Sequence, residues 1–137
     1  MTVSYATAIL VALGAYAGTL FAFKHVRPRA PDATAQAYRD MIAALSDMEK
    51  AYTDIDLARR TGETPSEDLF AARNRTSIAV HRIARSASFL FEQGDLELID
   101  EVISNYGFHP DSDVIQYIEK AIDGLRKSAH RTFQRGR

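Results

Sequence analysis

Acidic residues near the C-terminus have the chemistry of the start of a calcium-binding loop. Asp111, Ser112 and Asp113 carry the oxygen ligands that Ca²⁺ prefers. A calcium loop of this kind also needs glycine at its sixth position and a bidentate acid at its twelfth, where this chain has Gln116 and Ile122. The sequence therefore excludes a calcium loop here.

The histidines and cysteines do not indicate a metal site either. A di-iron helical bundle places glutamate three residues before a ligating histidine, and none of His25, His81, His109 and His130 has this neighbour. The four are scattered along the chain, so we expect surface or capping roles. Because the chain has no cysteine, disulfides, thiolate ligands and cysteine nucleophiles are excluded.

A second acidic group has the residue types of a paired-carboxylate active site. It consists of Asp95, Glu97, Asp100 and Glu101. These residues fall in the first turns of a predicted helix, where the helix dipole favours negative charge, so we expect a solvated cap. The chain also has no nucleophile elbow, phosphate-binding glycine loop or dinucleotide fingerprint. We expect no catalytic residue and no cofactor.

The most informative stretch, residues 4–23 (SYATAILVALGAYAGTLFAF), carries no charge. At about 1.5 Å per residue, a helix of this length spans roughly 30 Å, the thickness of the hydrocarbon core of a bilayer. The sequence predicts a transmembrane helix over 4–23. The alternatives are a buried core helix, which usually has more polar positions, and an uncleaved signal peptide, which usually begins with basic residues.

The charges on either side orient the predicted helix. No Lys or Arg precedes it, and Lys24, Arg27 and Arg29 follow it. The positive-inside rule then places residues 1–3 on the extracytoplasmic side of the membrane and the residues after the helix in the cytoplasm. Residues 24–31 form a basic linker with two prolines. The alanine- and arginine-rich composition indicates a bacterial inner membrane.

One face of the predicted membrane helix has small residues. Thr7, Val11, Gly14, Gly18 and Ala22 lie near one stripe, and the two glycines form a GxxxG pair. This spacing allows close packing of a second membrane helix, either in a homodimer or in a larger membrane protein. The alternative is that glycine and alanine are simply common in membrane helices.

The remaining apolar residues follow helical periods. Residues 32–125 are predicted to form an antiparallel bundle of three to four helices, so the fold class is all-α. The first helix should end at Gly62 and has an apolar seam with alternating spacings of three and four residues: Tyr38, Met41, Leu45, Met48, Tyr52 and Ile55. The second helix is predicted to be capped by Thr64 and to run from Pro65 to about Gln93. The third helix is predicted to be capped by Asp95 and to end at Gly107, and the fourth to begin at Asp111 or Asp113.

Basic residues bracket an acidic body. Residues 24–31 carry a charge of +3, residues 126–137 carry +5, and the part between them carries −9. Lys127, Arg131, Arg135 and Arg137 form a basic C-terminal helix end and tail. Like the cluster at residues 24–29, it could contact anionic lipid headgroups or an acidic partner, or it could be solvated. Nucleic acid is not expected, because the body is acidic and has no recognised binding motif.

These features together predict a non-catalytic, single-pass protein of the cell membrane. We expect an accessory or assembly subunit of a larger membrane complex, whose partner is an integral membrane protein or a second copy. The alternative is a membrane-anchored adaptor or regulator that recruits a soluble partner through its bundle. An enzyme is the least favoured class, because no convergent polar groups are visible.

Overall fold

The first helix is organised by the apolar seam that the sequence predicts. A computed structural model describes residues 30–107 and 110–135, and in it α1 spans Ala30–Arg60. All six seam residues, from Tyr38 to Ile55, are at most 2% exposed. The helix begins two residues before the predicted start, inside the predicted linker. Pro31 lies in its first turn. Backbone N–H groups there have no hydrogen-bond partner within the helix, so the absence of this group in proline breaks no helical hydrogen bond.

Glycine ends α1, as predicted. Gly62 has a φ of 79°, a left-handed conformation in which side chains with a Cβ are disfavoured. Its N–H donates to the carbonyl of Arg59 at 3.1 Å, and the N–H of Glu63 donates to the carbonyl of Ala58 at 2.8 Å. This pair of bonds is a Schellman motif. Gly107 has a φ of 87° and follows the third helix, as also predicted.

The second helix, α2, spans Glu67–Ala87, and both predicted ends are wrong. Ser66, not Thr64, is the cap, because its Oγ accepts a hydrogen bond of 3.3 Å from the Leu69 N–H. At the other end α2 gives way to a short 3₁₀ turn, Ser88–Leu90, and extended backbone at Phe91. Phe91 is thereby buried, with its ring edge-on to Tyr38 at a centroid distance of 5.1 Å.

The last two helices form a closely packed hairpin. Helix α3 spans Gln93–Asn105 and helix α4 spans Asp111–Gln134. The start of α4 agrees with the Asp111 alternative. The cap of α3 is Glu92 rather than Asp95, which lies in the first turn. Because α4 continues to Gln134, most of the predicted basic tail is helical.

The helices run alternately up and down. The guanidinium of Arg73, near the start of α2, lies 5.8 Å from the ring centroid of Tyr52, near the end of α1. In α4, Lys120 lies 3.3 Å from Glu101 of α3, and the later Ser128 contacts the earlier Asp95, so these two helices are antiparallel. One end of the bundle contains the start of α1, the turn between α2 and α3, and the end of α4. We call it the Ala30 end, and we call the opposite end the Arg60 end. The predicted all-α bundle is confirmed, with four helices in the described part.

The core lies along α1 and receives apolar side chains from every other helix. Val80 of α2, Ile99 and Val102 of α3, and Ile118 and Leu125 of α4 are at most 1% exposed. Within the residues that the structure describes, no helix is long and apolar enough to cross a membrane. The predicted span at 4–23 lies outside those residues.

Candidate functional site

Most of the residues predicted to meet a partner or lipid lie outside the described ranges. The small-residue stripe comprises Thr7, Val11, Gly14, Gly18 and Ala22, and the basic residues outside are Lys24, Arg27, Arg29 and Arg137. The described members of the predicted set are Lys127, Arg131 and Arg135. Lys127 and Arg131 lie on the last turns of α4, and Arg135 is the residue that follows it, at the Ala30 end.

These three cations have different surroundings. Lys127 pairs with Asp123 at 2.7 Å, and both side chains are about two-thirds exposed. Arg131 donates from Nη2 to Oγ of Ser128 at 2.9 Å, and the same nitrogen lies 3.7 Å from Oε2 of Glu92. Arg135 is exposed and caps the end of α4. The predicted tail is therefore tied to the bundle through Arg131.

Beneath Arg131 lies a buried polar cluster that corrects the prediction for Asp95. This carboxylate is 4% exposed, so it is not a solvated cap. Its Oδ2 accepts a hydrogen bond of 2.7 Å from the hydroxyl of Tyr38, and its Oδ1 accepts one of 3.0 Å from Ser128. The Tyr38 hydroxyl in turn accepts from the backbone N–H of Glu92 at 3.1 Å. The cluster joins α1, α3 and α4.

The electrostatics of this cluster favour a structural role. Burial is the main cause that raises the pKa of Tyr38 well above its usual range, and the hydrogen bond to Asp95 acts in the same direction. The phenol therefore stays protonated at neutral pH and keeps donating to the carboxylate. A paired donor and acceptor in a buried site stabilise a fixed arrangement of helices.

A second buried carboxylate lies at the Arg60 end. Asp111 is 7% exposed and pairs through Oδ2 with Nη1 of Arg59. Nη1 of Arg73 lies 3.7 Å from its Oδ1, and the Arg73 guanidinium lies over the rings of Phe70 and Tyr52, 5.1 Å and 5.8 Å from their centroids. The pKa of Tyr52 is raised, chiefly by burial. Arginines thus satisfy the carboxylate considered for calcium, and the described residues contain no group of three or more potential metal ligands.

Sequence reasoning missed a basic, aromatic surface at the Ala30 end. Phe89, in the turn between α2 and α3, is 79% exposed, and Phe133, near the end of α4, is 43% exposed. Arg82 and Arg85 on α2 are also exposed. A sequence signal did exist, because residues 69–91 contain four arginines and no acid. This local positive charge does not show in the net charge of residues 32–125, which is −9.

The polar side chains buried in the bundle are internally satisfied. In residues 30–107 and 110–135, every buried side-chain nitrogen or oxygen has a hydrogen-bond partner. The cluster around Asp95 and the pair around Asp111 therefore join helices, and the groups available to a partner lie on the surface.

Comparisons of the chain with family models, curated proteins and solved structures found no match.

Proposed function

We propose that the protein is a single-pass membrane protein that acts, without catalysis, as an accessory or assembly subunit of a larger membrane complex. The observation that carries this proposal is the uncharged segment 4–23, followed directly by Lys24, Arg27 and Arg29. The bundle is the part that would contact other proteins on the cytoplasmic side. Its partner is an integral membrane protein or a second copy of the chain.

The described bundle supports this proposal in two ways. Its start at Ala30 leaves six residues, 24–29, after the predicted span, which reach at most roughly 25 Å even when extended. A bundle so close to the bilayer would be held beside other membrane proteins. Its buried carboxylates, Asp95 and Asp111, are engaged by Tyr38 and Arg59 in contacts that fix the helices. A surface held in a fixed arrangement loses less conformational entropy when it binds a partner.

Membrane insertion is tested by alkaline carbonate extraction of membranes that contain the full chain. We expect the protein to remain in the membrane pellet. Leu13→Arg, near the centre of the predicted span, should release it, because arginine there costs about 2.5–3.5 kcal/mol of insertion free energy. Leu57→Arg is the control, since Leu57 is an exposed residue of the bundle. Complete extraction of the unmodified chain would contradict the proposal.

The orientation is tested with single cysteines, because the chain has none of its own. A membrane-impermeant maleimide added to intact cells should label Thr2→Cys and should label Asp123→Cys only after lysis. The opposite pattern would reverse the predicted topology.

The membrane packing face is tested by the double variant Gly14→Ile and Gly18→Ile. After extraction in a mild detergent, this variant should lose the partner that co-purifies with the unmodified chain, because the added side chains prevent close helix packing. Tyr16→Ile, on the opposite face of the predicted helix, is the matched control. A complex that survives the double variant would rule out this face.

The same purification distinguishes the alternative function. An integral membrane partner, or a second copy, present in equal amount supports an assembly subunit. A soluble partner present in a smaller amount supports a membrane-anchored adaptor or regulator.

A further inference from the structure

We propose that the Ala30 end of the bundle binds the surface of an anionic phospholipid bilayer, with Phe89 and Phe133 inserted at the level of the headgroups. This inference depends on the proposed function only for the attachment of the chain to the membrane. It adds a second contact, made by the folded domain, which a transmembrane anchor does not itself require.

The two exposed aromatic residues belong to one end of the bundle. Phe89 lies in the turn that leads to Glu92, and Arg131 of α4 lies 3.7 Å from the Glu92 carboxylate. Phe133 follows Arg131 by two residues on the same helix. The bundle also begins at this end, with α1. In the sequence, the first turn of α1 is the part of the bundle that is closest to the predicted span.

The charge at this end complements an anionic surface. Arg82 and Arg85 on α2 and Arg131 and Arg135 on α4 are all exposed. Within the described part of the chain, neither Arg82 nor Arg85 forms an ion pair, so both are available to an external anion. Glu92, against which Arg131 lies, and Asp32, in the first turn of α1, are acids of this end.

A lipid surface suits this combination of groups better than an acidic protein does. Aromatic rings flanked by arginines are typical of protein surfaces that lie in the membrane interface. By position in their helices, the exposed acids of α3, Glu97 and Asp100, lie farther from the Ala30 end than Arg85 does, and at about the same depth as Arg82. An end-on orientation would therefore bring Arg85 and Arg135 closer to the headgroups than these acids.

The contact can be measured with tryptophan, because the chain contains none. Phe89→Trp and Phe133→Trp, each in the full chain, would be reconstituted in vesicles of phosphatidylcholine mixed with phosphatidylglycerol. We expect blue-shifted emission and strong quenching by lipids brominated on their acyl chains. Leu57→Trp is the matched control, because Leu57 is 58% exposed but lies at the Arg60 end. Equal quenching of Phe89→Trp and Leu57→Trp would overturn the proposal.

The charge contribution is tested by Arg82→Gln and Arg85→Gln in the Phe89→Trp chain. Each change should lower the equilibrium constant for the contact about fivefold, since an arginine near an anionic surface contributes about 1 kcal/mol. Arg75→Gln is the control, because this exposed arginine of the same helix lies about 10 Å farther from the Ala30 end than Arg82 and about 15 Å farther than Arg85, at 1.5 Å per residue. An equal loss from Arg75→Gln would indicate that the side of α2 lies on the membrane and would overturn the end-on contact.

Two further outcomes are distinguishable. If carbonate extracts the protein while Phe89→Trp remains quenched in vesicles, the lipid contact stands and the transmembrane proposal fails. If the protein resists carbonate extraction but Phe89→Trp is not quenched, the transmembrane proposal stands and the lipid contact of the bundle fails. A blue shift caused by polyglutamate in solution, without quenching in anionic vesicles, would identify an acidic protein surface as the ligand and overturn the lipid proposal.

Discussion

The hydroxyl of Tyr38 donates a hydrogen bond of 2.7 Å to Oδ2 of Asp95, a residue 57 positions later in the chain. The bond joins the third turn of α1 to the first turn of α3. On its other oxygen the same carboxylate accepts a bond from Ser128, so one buried charge fixes three helices. The packing of α1, α3 and α4 at the Ala30 end therefore depends on polar contacts inside an apolar core.

Removal of the Tyr38 hydroxyl should destabilise the bundle. Tyr38→Phe keeps the ring that packs on Phe91 but removes the hydrogen-bond partner of Asp95 Oδ2 and of the Glu92 N–H, and leaves only the Ser128 bond to Asp95 Oδ1. We expect the free energy of unfolding to fall by about 1–3 kcal/mol, measured by urea denaturation. Tyr106→Phe, at a half-buried position, is the control and should change it by less than about 0.5 kcal/mol. Equal effects would show that the Asp95 contact contributes little.

Stability should decline in alkali because of the two buried tyrosines. The pKa values of Tyr38 and Tyr52 are raised above the ordinary value of 10.0, chiefly by burial. Above that pH the unfolded chain loses these protons while the folded chain keeps them, so the free energy of unfolding falls as the pH rises. Each tyrosine contributes a slope of up to about 1.4 kcal/mol per pH unit. Tyr38→Phe should reduce the slope of the unfolding free energy against pH, measured by denaturation between pH 9 and pH 11. An unchanged slope would contradict a raised pKa of Tyr38.

The carboxylate of Asp111 should matter more than an exposed one. Asp111→Asn removes the charge that pairs with Arg59 and leaves the nearby Arg73 without its acid. We expect a loss of about 1–3 kcal/mol of unfolding free energy, since the group is buried and interacts with charged donors. Asp123→Asn also breaks an ion pair, but an exposed one, so it should cost at most about 1 kcal/mol. Thermal and urea denaturation of the two variants provide the comparison.

Gly124 allows α3 to approach α4, although it lies within a helix. A Cβ at this position would overlap Cδ1 of Leu98. Gly124→Ala should therefore gain less than the roughly 1 kcal/mol of helix propensity that alanine offers over glycine. In a Leu98→Ala background the overlap is gone, and the full gain should appear. The coupling in this double-mutant cycle should be at least about 0.5 kcal/mol, and additive effects would contradict the close contact.

Much of the architecture follows from local patterns that the sequence displays. The spacing of Tyr38, Met41 and Leu45 predicts a helix whose apolar face is buried, because period and burial are linked by geometry alone. Gly62 and Gly107 predict the ends of α1 and α3, because they adopt backbone angles that other residues rarely adopt. These features require no knowledge of distant residues.

Other features depend on contacts between residues that are far apart in the chain. Asp95 has the local setting of a solvated cap, but it is buried because Tyr38 and Ser128, 57 and 33 positions away, supply hydrogen bonds to it. The end of α2 at Ala87 is likewise set by the burial of Phe91 against Tyr38, which leaves Phe89 exposed.

The sequence by itself thus determined the helical class, the core face of α1 and the stops at Gly62 and Gly107, because these depend on the chemistry of neighbouring residues. The stop predicted from Gly94 is wrong, since this residue lies in the first turn of α3. Only the tertiary structure decided which carboxylates are buried and which cations and aromatic rings share the Ala30 end. The physical reason is that burial and charge clustering depend on which helices pack together, and residues distant in the chain determine that packing.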